Sequence, residues 1–162
     1  MGLRIRPYEA GDYERVLEIC IAAFTPIHKG FEAALGHEIF ALRLHDWKEQ
    51  YAKQLSGIDP KNAVTKVSVA EEDDAVVGFM FTIMEAERKT GEIGLNAADP
   101  RAQGRGIGKA MYEFALADLK QRGAEVAYVG TGGDAAHAPA RAAYEAMGFD
   151  RVIPSIHYFR RL

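Results

Sequence analysis

The residues with the clearest chemistry are Gln103-Gly104-Arg105-Gly106-Ile107-Gly108-Lys109, where three glycines alternate with larger side chains, two of them cationic. The pattern around them predicts a strand that ends at Pro100 and a helix that begins near Gly106. The first backbone N–H groups of a helix have no partner inside it and together carry about half a positive charge, so a pyrophosphate can accept from several at once. Glycine lets the phosphate approach the main chain, and Arg105 and Lys109 flank the turn and add charge without adding specificity. Two other phosphate-binding patterns fail on spacing. A P-loop would need glycine where Gln103 stands and Ser or Thr where Ala110 stands. A dinucleotide fingerprint would need glycine in place of Lys109, and the strands before the turn do not open a βαβ unit.

The elements that must position this turn follow from periodicity. Residues 3–6 alternate apolar and charged side chains and stop at Pro7, which suits a short strand. From Asp12, a possible N-cap by residue type, Val16, Leu17, Ile19, Cys20 and Ala23 recur at helical spacing. Residues 31–55 read as one long helix or two shorter ones interrupted near Gly36. Residues 64–70 and 76–84 flank an acidic turn and form an antiparallel hairpin, and residues 92–98 close a three-stranded meander. After the glycine-rich turn, Ile107, Met111, Phe114, Ala115 and Leu119 mark a helix ending at Gly123. Residues 126–129 read as a strand, residues 138–147 as a helix with Pro139 in its first turn, and the tail from Phe149 as one or two further strands. The expected fold is therefore α/β (α+β): a mixed, mostly antiparallel sheet of six or seven strands with helices on both faces.

The 162 residues, 48% of them hydrophobic, suffice for one core, and no repeat or linker divides them, so residues 1–162 are expected to form a single domain. The formal charge of -3, from 20 Lys plus Arg against 23 Asp plus Glu, offers no field to gather nucleic acid or an anionic membrane. Charges interrupt every apolar stretch before the roughly 20 residues of a membrane-spanning helix are reached. Cys20 is the single cysteine, so no disulfide can form within the chain; it reads as a core residue in a reducing compartment. With no export signal read at the N-terminus, a cytoplasmic location is expected.

The chain resembles the GNAT superfamily of N-acetyltransferases, whose signature is Gln or Arg, two residues, Gly, one residue, then Gly or Ala. Gln103, Gly106 and Gly108 meet it, Pro100 stands where the family has an earlier proline, and a later segment reads His137, Ala140, Tyr144-Glu145, Gly148-Phe149. The resemblance covers roughly residues 64–149. It implies acetyl-coenzyme A as cofactor, a fourth and fifth strand that splay apart, and a pantetheine arm lying between them as a surrogate strand. Asn96, Ala97 and Ala98 would bind that arm through the backbone, Gly104 to Lys109 would hold the pyrophosphate, and His137 replaces an Asn that bonds the arm in the family, with Ala140 beside it. An imidazole can also donate or accept there.

The resemblance further implies an N-acetyltransferase that moves an acetyl group to a primary amine of a small molecule or peptide by direct attack. Tyr144 would give a proton to the departing thiolate. A phenol with an ordinary pKa of about 10 holds a proton that a thiolate near 8.5 can share. The amine needs a proton acceptor. The position where related enzymes carry a Glu near the fifth strand is Gly132, which leaves Glu92, Glu85, Asp134 and His137, with Glu92 first because it begins the strand that would carry the thioester. Residues 131–134 read as a plain loop at least as readily as a substrate contact. Phe24, Phe31, Trp47 and Phe81 could line an acceptor pocket but fit core positions better. No metal is expected, and the resemblance admits a homodimer. A non-catalytic acyl-coenzyme A sensor is the alternative, because the base is missing and the Asn is replaced.

Overall fold

A computed structural model describes residues 2–162. Its sheet runs in the order β1 (Arg4–Pro7), β2 (Thr65–Glu72), β3 (Ala75–Glu85), β4 (Thr90–Ala98) and β5 (Val126–Val129). The first four strands pair antiparallel and β5 joins β4 in parallel, as a strand reached through a crossover helix can. Between β1 and β2 lie α1 (Tyr13–Leu35), α2 (His37–Arg43) and α3 (Trp47–Ser56). Gly36 does break the helical region, with φ +78 at the end of α1. The β2–β3 hairpin closes on Asp73 and Asp74, both at positive φ, the backbone that a tight hairpin requires and that Asp tolerates. α4 (Ile107–Gln121) connects β4 to β5, and α5 (Ala138–Ala146) follows β5.

Two cores sit on opposite faces of the sheet. Val69, Phe79, Phe81 and Ala97 face Val16, Ile19, Cys20 and Leu55 of α1 and α3. Ala70, Met80 and Ile93 face Ile107, Met111, Ala115 and Leu119 of α4, with Tyr144 of α5. The alternation along β3 is the period-2 signal, and the near-continuous burial of residues 76–82 follows from helices on both faces. Gly91 lets α4 lie close to the sheet, because a Cβ there would meet the Leu119 side chain at 2.6 Å. Phe114, one of the residues that mark the helical period of α4, stays 38% exposed.

Among the described residues the sheet has five strands, not the six or seven expected, because residues 150–162 form no strand. Every one of those residues is exposed, Ile153 by 97%. Apolar content alone does not make a strand; it needs an edge to pair with and a core to face. Val152-Ile153 and Tyr158-Phe159 break the period of two, and Pro154 gives no donor. No helix of the described residues is long and apolar enough to cross a membrane.

Candidate active site

The site begins where two strands part. β4 and β5 pair from Thr90 with Val126 to Ile93 with Val129, and there the pairing stops. β4 continues through Gly94 to Ala98 with no strand on that side, while the chain after β5 turns away at Gly130 and Thr131. A β-bulge lies at the divergence: Gly94 and Leu95 together oppose Phe81, between the Thr82–Ile93 and Met80–Asn96 pairs. Such bulges bend a strand and re-aim its side chains. The result is the splay expected from the resemblance and a cavity of about 700 Å³. Its walls come from residues 92–98, the glycine-rich turn, Ala23, Phe24 and Ile27 of α1, and Ala140, Ala143 and Tyr144 of α5.

The turn reaches the cavity through Gln103, Gly104, Gly106, Ile107 and Gly108. Gly104 and Gly106 take φ +78 and +79, the left-handed region where a side chain would be strained, and no side chain caps the first turn of α4. Its leading N–H groups are thus left for a ligand. Arg105 and Lys109 do not line the cavity: Arg105 pairs with Glu72, and Lys109 lies 3.6 Å from Glu113. The turn is anchored by Asp99, which sequence reasoning did not single out. Its buried carboxylate accepts from Arg101 N at 2.9 Å and Arg101 Nη2 at 3.0 Å, and pairs with Arg15 of α1. These bonds, Arg101 first, hold Asp99 well below the usual carboxylate range against the opposing effect of burial.

Tyr144 is buried in the wall formed by α5, its ring 5.1 Å from that of Tyr112 and 6.0 Å from Phe149. Asn96 joins the two tyrosines. Tyr112 donates to Asn96 Oδ1 at 3.0 Å, and Asn96 Nδ2 donates to Gly94 O at 2.9 Å and to Tyr144 Oη at 3.4 Å. Burial, with Tyr144 nearby, pushes the Tyr112 phenol far up, so it stays a donor. Tyr112 was missed because it sits beside Met111 in the helical pattern. No spacing in the sequence marks it, because its role comes from Asn96 on β4.

Glu92 lines the same cavity, and its Oε2 lies 3.3 Å from Tyr128 Oη, while Glu85 Oε1 lies 3.0 Å from that oxygen. The single phenolic proton serves two carboxylates, and burial together with their charge pushes Tyr128 up to about 12. His137 also lines the cavity, its Nδ1 bonded to Asp134 Oδ2 at 2.5 Å. Of the aromatic candidates, Phe24 reaches the cavity and Phe81 is core. Phe31 and Trp47 surround His28, with Trp47 stacked on its ring at 4.1 Å. His28 is buried with no hydrogen bond at Nδ1; burial, then the neighbouring His137, holds it below the ordinary imidazole range and hence neutral. Cys20 is core, its thiol pushed up to about 12 by burial.

The sequence profile of the acetyltransferase (GNAT) family matches residues 30–149, most of the chain and all of the cavity except its α1 wall. The chain belongs to the GNAT acetyltransferase family. The GNAT match extends further toward the N-terminus than the motifs that first suggested it. A mycothiol acetyltransferase of Kocuria rhizophila is 32% identical over 157 residues, which take in 93% of this chain and 46% of that protein. The chain spans about half the length, or less, of the curated relatives it matches. Two solved acetyltransferase structures share the fold. The PaiA N-acetyltransferase of Thermoplasma acidophilum, in complex with coenzyme A, has a TM-score of 0.70 at 18% identity, covering 93% of this chain and 91% of that one. A GNAT acetyltransferase of Staphylococcus aureus has a TM-score of 0.72 at 16% identity, covering 94% and 87%.

Proposed function

We propose that this chain transfers an acetyl group from acetyl-coenzyme A to a primary amine of a small molecule or peptide, by direct attack of the amine on the thioester. The observation that carries the reading is the free edge of β4 from Gly94 to Ala98, ending at a glycine turn and a helix N-terminus inside one cavity. The residues fit the ligand. An extended pantetheine amide chain can pair with Asn96, Ala97 and Ala98 in place of the missing strand. Gly104, Gly106 and Gly108, with Gln103 and Ile107 beside them, leave the diphosphate room at the N–H groups of α4. Arg105 and Lys109 contribute backbone and long-range charge.

Within that arrangement Tyr144 gives its proton to the thiolate as the C–S bond breaks, and Asn96 fixes the phenol relative to β4. Glu92 draws the acceptor in as an ammonium. Freeing an amine with an ordinary pKa of about 10.4 at pH 7 costs roughly 4 to 5 kcal/mol, so a carboxylate beside the reaction path is useful. His137 and Ala140 border the arm where α5 begins. The name of the mycothiol acetyltransferase relative supports a small-molecule acceptor, and the lone cysteine, Cys20, which is buried, suits a reducing, cytoplasmic setting. The open outer edge of β5 and the apolar tail favour a homodimer.

The test is release of free coenzyme A thiol when the protein is given acetyl-coenzyme A and a panel of amines, with binding measured separately by calorimetry. Saturable heat and turnover with at least one amine are expected. Tight binding with no turnover across the panel would leave a sensor. Absence of binding by folded protein would sink both readings.

A further inference from the structure

The loop between β5 and α5 is built around one hydrogen bond. Asp134 holds His137 Nδ1 through Oδ2 at 2.5 Å while its Oδ1 accepts from Ala136 N at 3.0 Å. A Cβ on Gly132 would fall far inside contact distance of His137 Nδ1, His137 Cε1 and Asp134 Oδ2, so only glycine fits over the pair. From α5, Arg141 Nη1 ties the loop down through Gly132 O at 2.6 Å and Asp134 O at 2.7 Å. Burial opposes a charged Asp134, but its bond to His137 and the surrounding amides hold it below the usual carboxylate range. An ionised carboxylate only accepts, so Nδ1 carries the hydrogen and Nε2 presents a lone pair.

That Nε2 has no hydrogen-bond partner, and the ring lines the cavity that Tyr144 and Glu92 line. His137 ends the short 3-10 turn that leads into α5, Tyr144 lies seven residues on near the end of α5, and both line the same cavity. Phe31 of α1, with its ring 6.1 Å from that of His137, closes the outer side.

We propose that the Asp134–His137 pair is the proton acceptor of the transfer, an inference that rests on the acetyl-transfer reading above. Glu92 attracts the ammonium, and its first proton leaves to water. The neutral nitrogen forms the N–C bond to the acetyl carbon as the C–S bond breaks. Its remaining excess proton passes to His137 Nε2, Asp134 stabilises the imidazolium, and the thiolate takes the proton of Tyr144. Transfer through water from the imidazolium to the tyrosinate restores both groups. A carboxylate-oriented imidazole with one free nitrogen is an arrangement that activates a nucleophile by taking its proton.

His137→Asn separates this role from simple support of the bound arm, because Asn keeps hydrogen-bonding capacity but cannot take the proton. With the full chain and acetyl-coenzyme A, kcat is expected to fall about 100-fold in His137→Asn, with KM for acetyl-coenzyme A within about threefold. Added imidazole is expected to restore turnover at least about 10-fold in His137→Ala, and not in Tyr144→Phe. Asp134→Asn, which leaves the imidazole unoriented, is expected to lose about 10-fold in kcat. Coenzyme A binding by calorimetry reports whether each variant is folded. Turnover of His137→Asn within threefold of the parent, or a loss confined to KM, overturns the assignment while leaving acetyl transfer intact. An inactive parent chain instead removes the reading on which it rests.

Discussion

At the scale of single residues, the cavity is a set of hydrogen-bond commitments, and the informative side chains are those with capacity left over. Tyr144 is buried, accepts a bond from Asn96 at 3.4 Å, and has its own proton to give. On the proposed role of Tyr144 as general acid, Tyr144→Phe is expected to lower kcat by about 100-fold or more while calorimetric affinity for coenzyme A stays within a few fold, since such a group acts only in the transition state. Tyr112→Phe removes the donor to Asn96 Oδ1 and leaves that oxygen short of a partner in a buried site. The expected cost is about 1 to 2 kcal/mol of stability by denaturant titration, with a smaller loss of kcat than in Tyr144→Phe. Tyr144, Glu92 and the glycine-rich turn all line the cavity: the turn and Tyr144 were singled out from motifs, Glu92 from its place at the start of a strand. Tyr112 and Asp99 were not, since their roles arise from partners 16 positions back along the chain and on α1, respectively.

At the scale of elements, the turn before α4 works because two constraints meet in it. Gly106 must hold φ +79, and Asp99 must stay charged to bind Arg101 and Arg15. Gly106→Asp puts a side chain in a strained conformation and a negative charge at the proposed diphosphate position. Calorimetry is expected to register at least a 30-fold loss of coenzyme A affinity, more than a strain of about 1 to 3 kcal/mol shared by free and bound forms would give. Asp99→Asn is expected to lower stability by about 2 kcal/mol at neutral pH. Its pH dependence has a definite sign. A depressed folded-state pKa means that the unfolded chain binds the proton more readily, so the stabilisation is complete above about pH 4 and is lost as pH falls through the folded value. Unfolding curves of parent and variant should therefore converge below pH 4. The meander and α4 were readable because each carries one clean period. The boundaries of α2 and α3 were not, because residues 31–55 mix polar and aromatic positions that satisfy no single period. The tail was misread because a local apolar pattern says nothing about whether an edge is available.

At the scale of the whole molecule, residues 150–162 are all exposed, and Arg161 ties them to α2 through an ion pair with Glu38. Removing them is expected to leave a cooperative unfolding transition shifted by no more than about 0.5 kcal/mol, the ordinary range for surface changes. The same deletion is expected to abolish self-association of the full chain in sedimentation velocity; a full chain that stays monomeric at about 100 μM would exclude the homodimer. The order of strands carries one more consequence. β2, β3 and β4 are neighbours in sequence as well as in space, so their ladder closes over short loops. β5 is added only after α4 has crossed over, and it holds β4 through a few residues at one end. Amide hydrogens of β5 and α5 should exchange through partial openings well before those of β3, so the least protected portion of the molecule would be the wall that carries Tyr144 and His137.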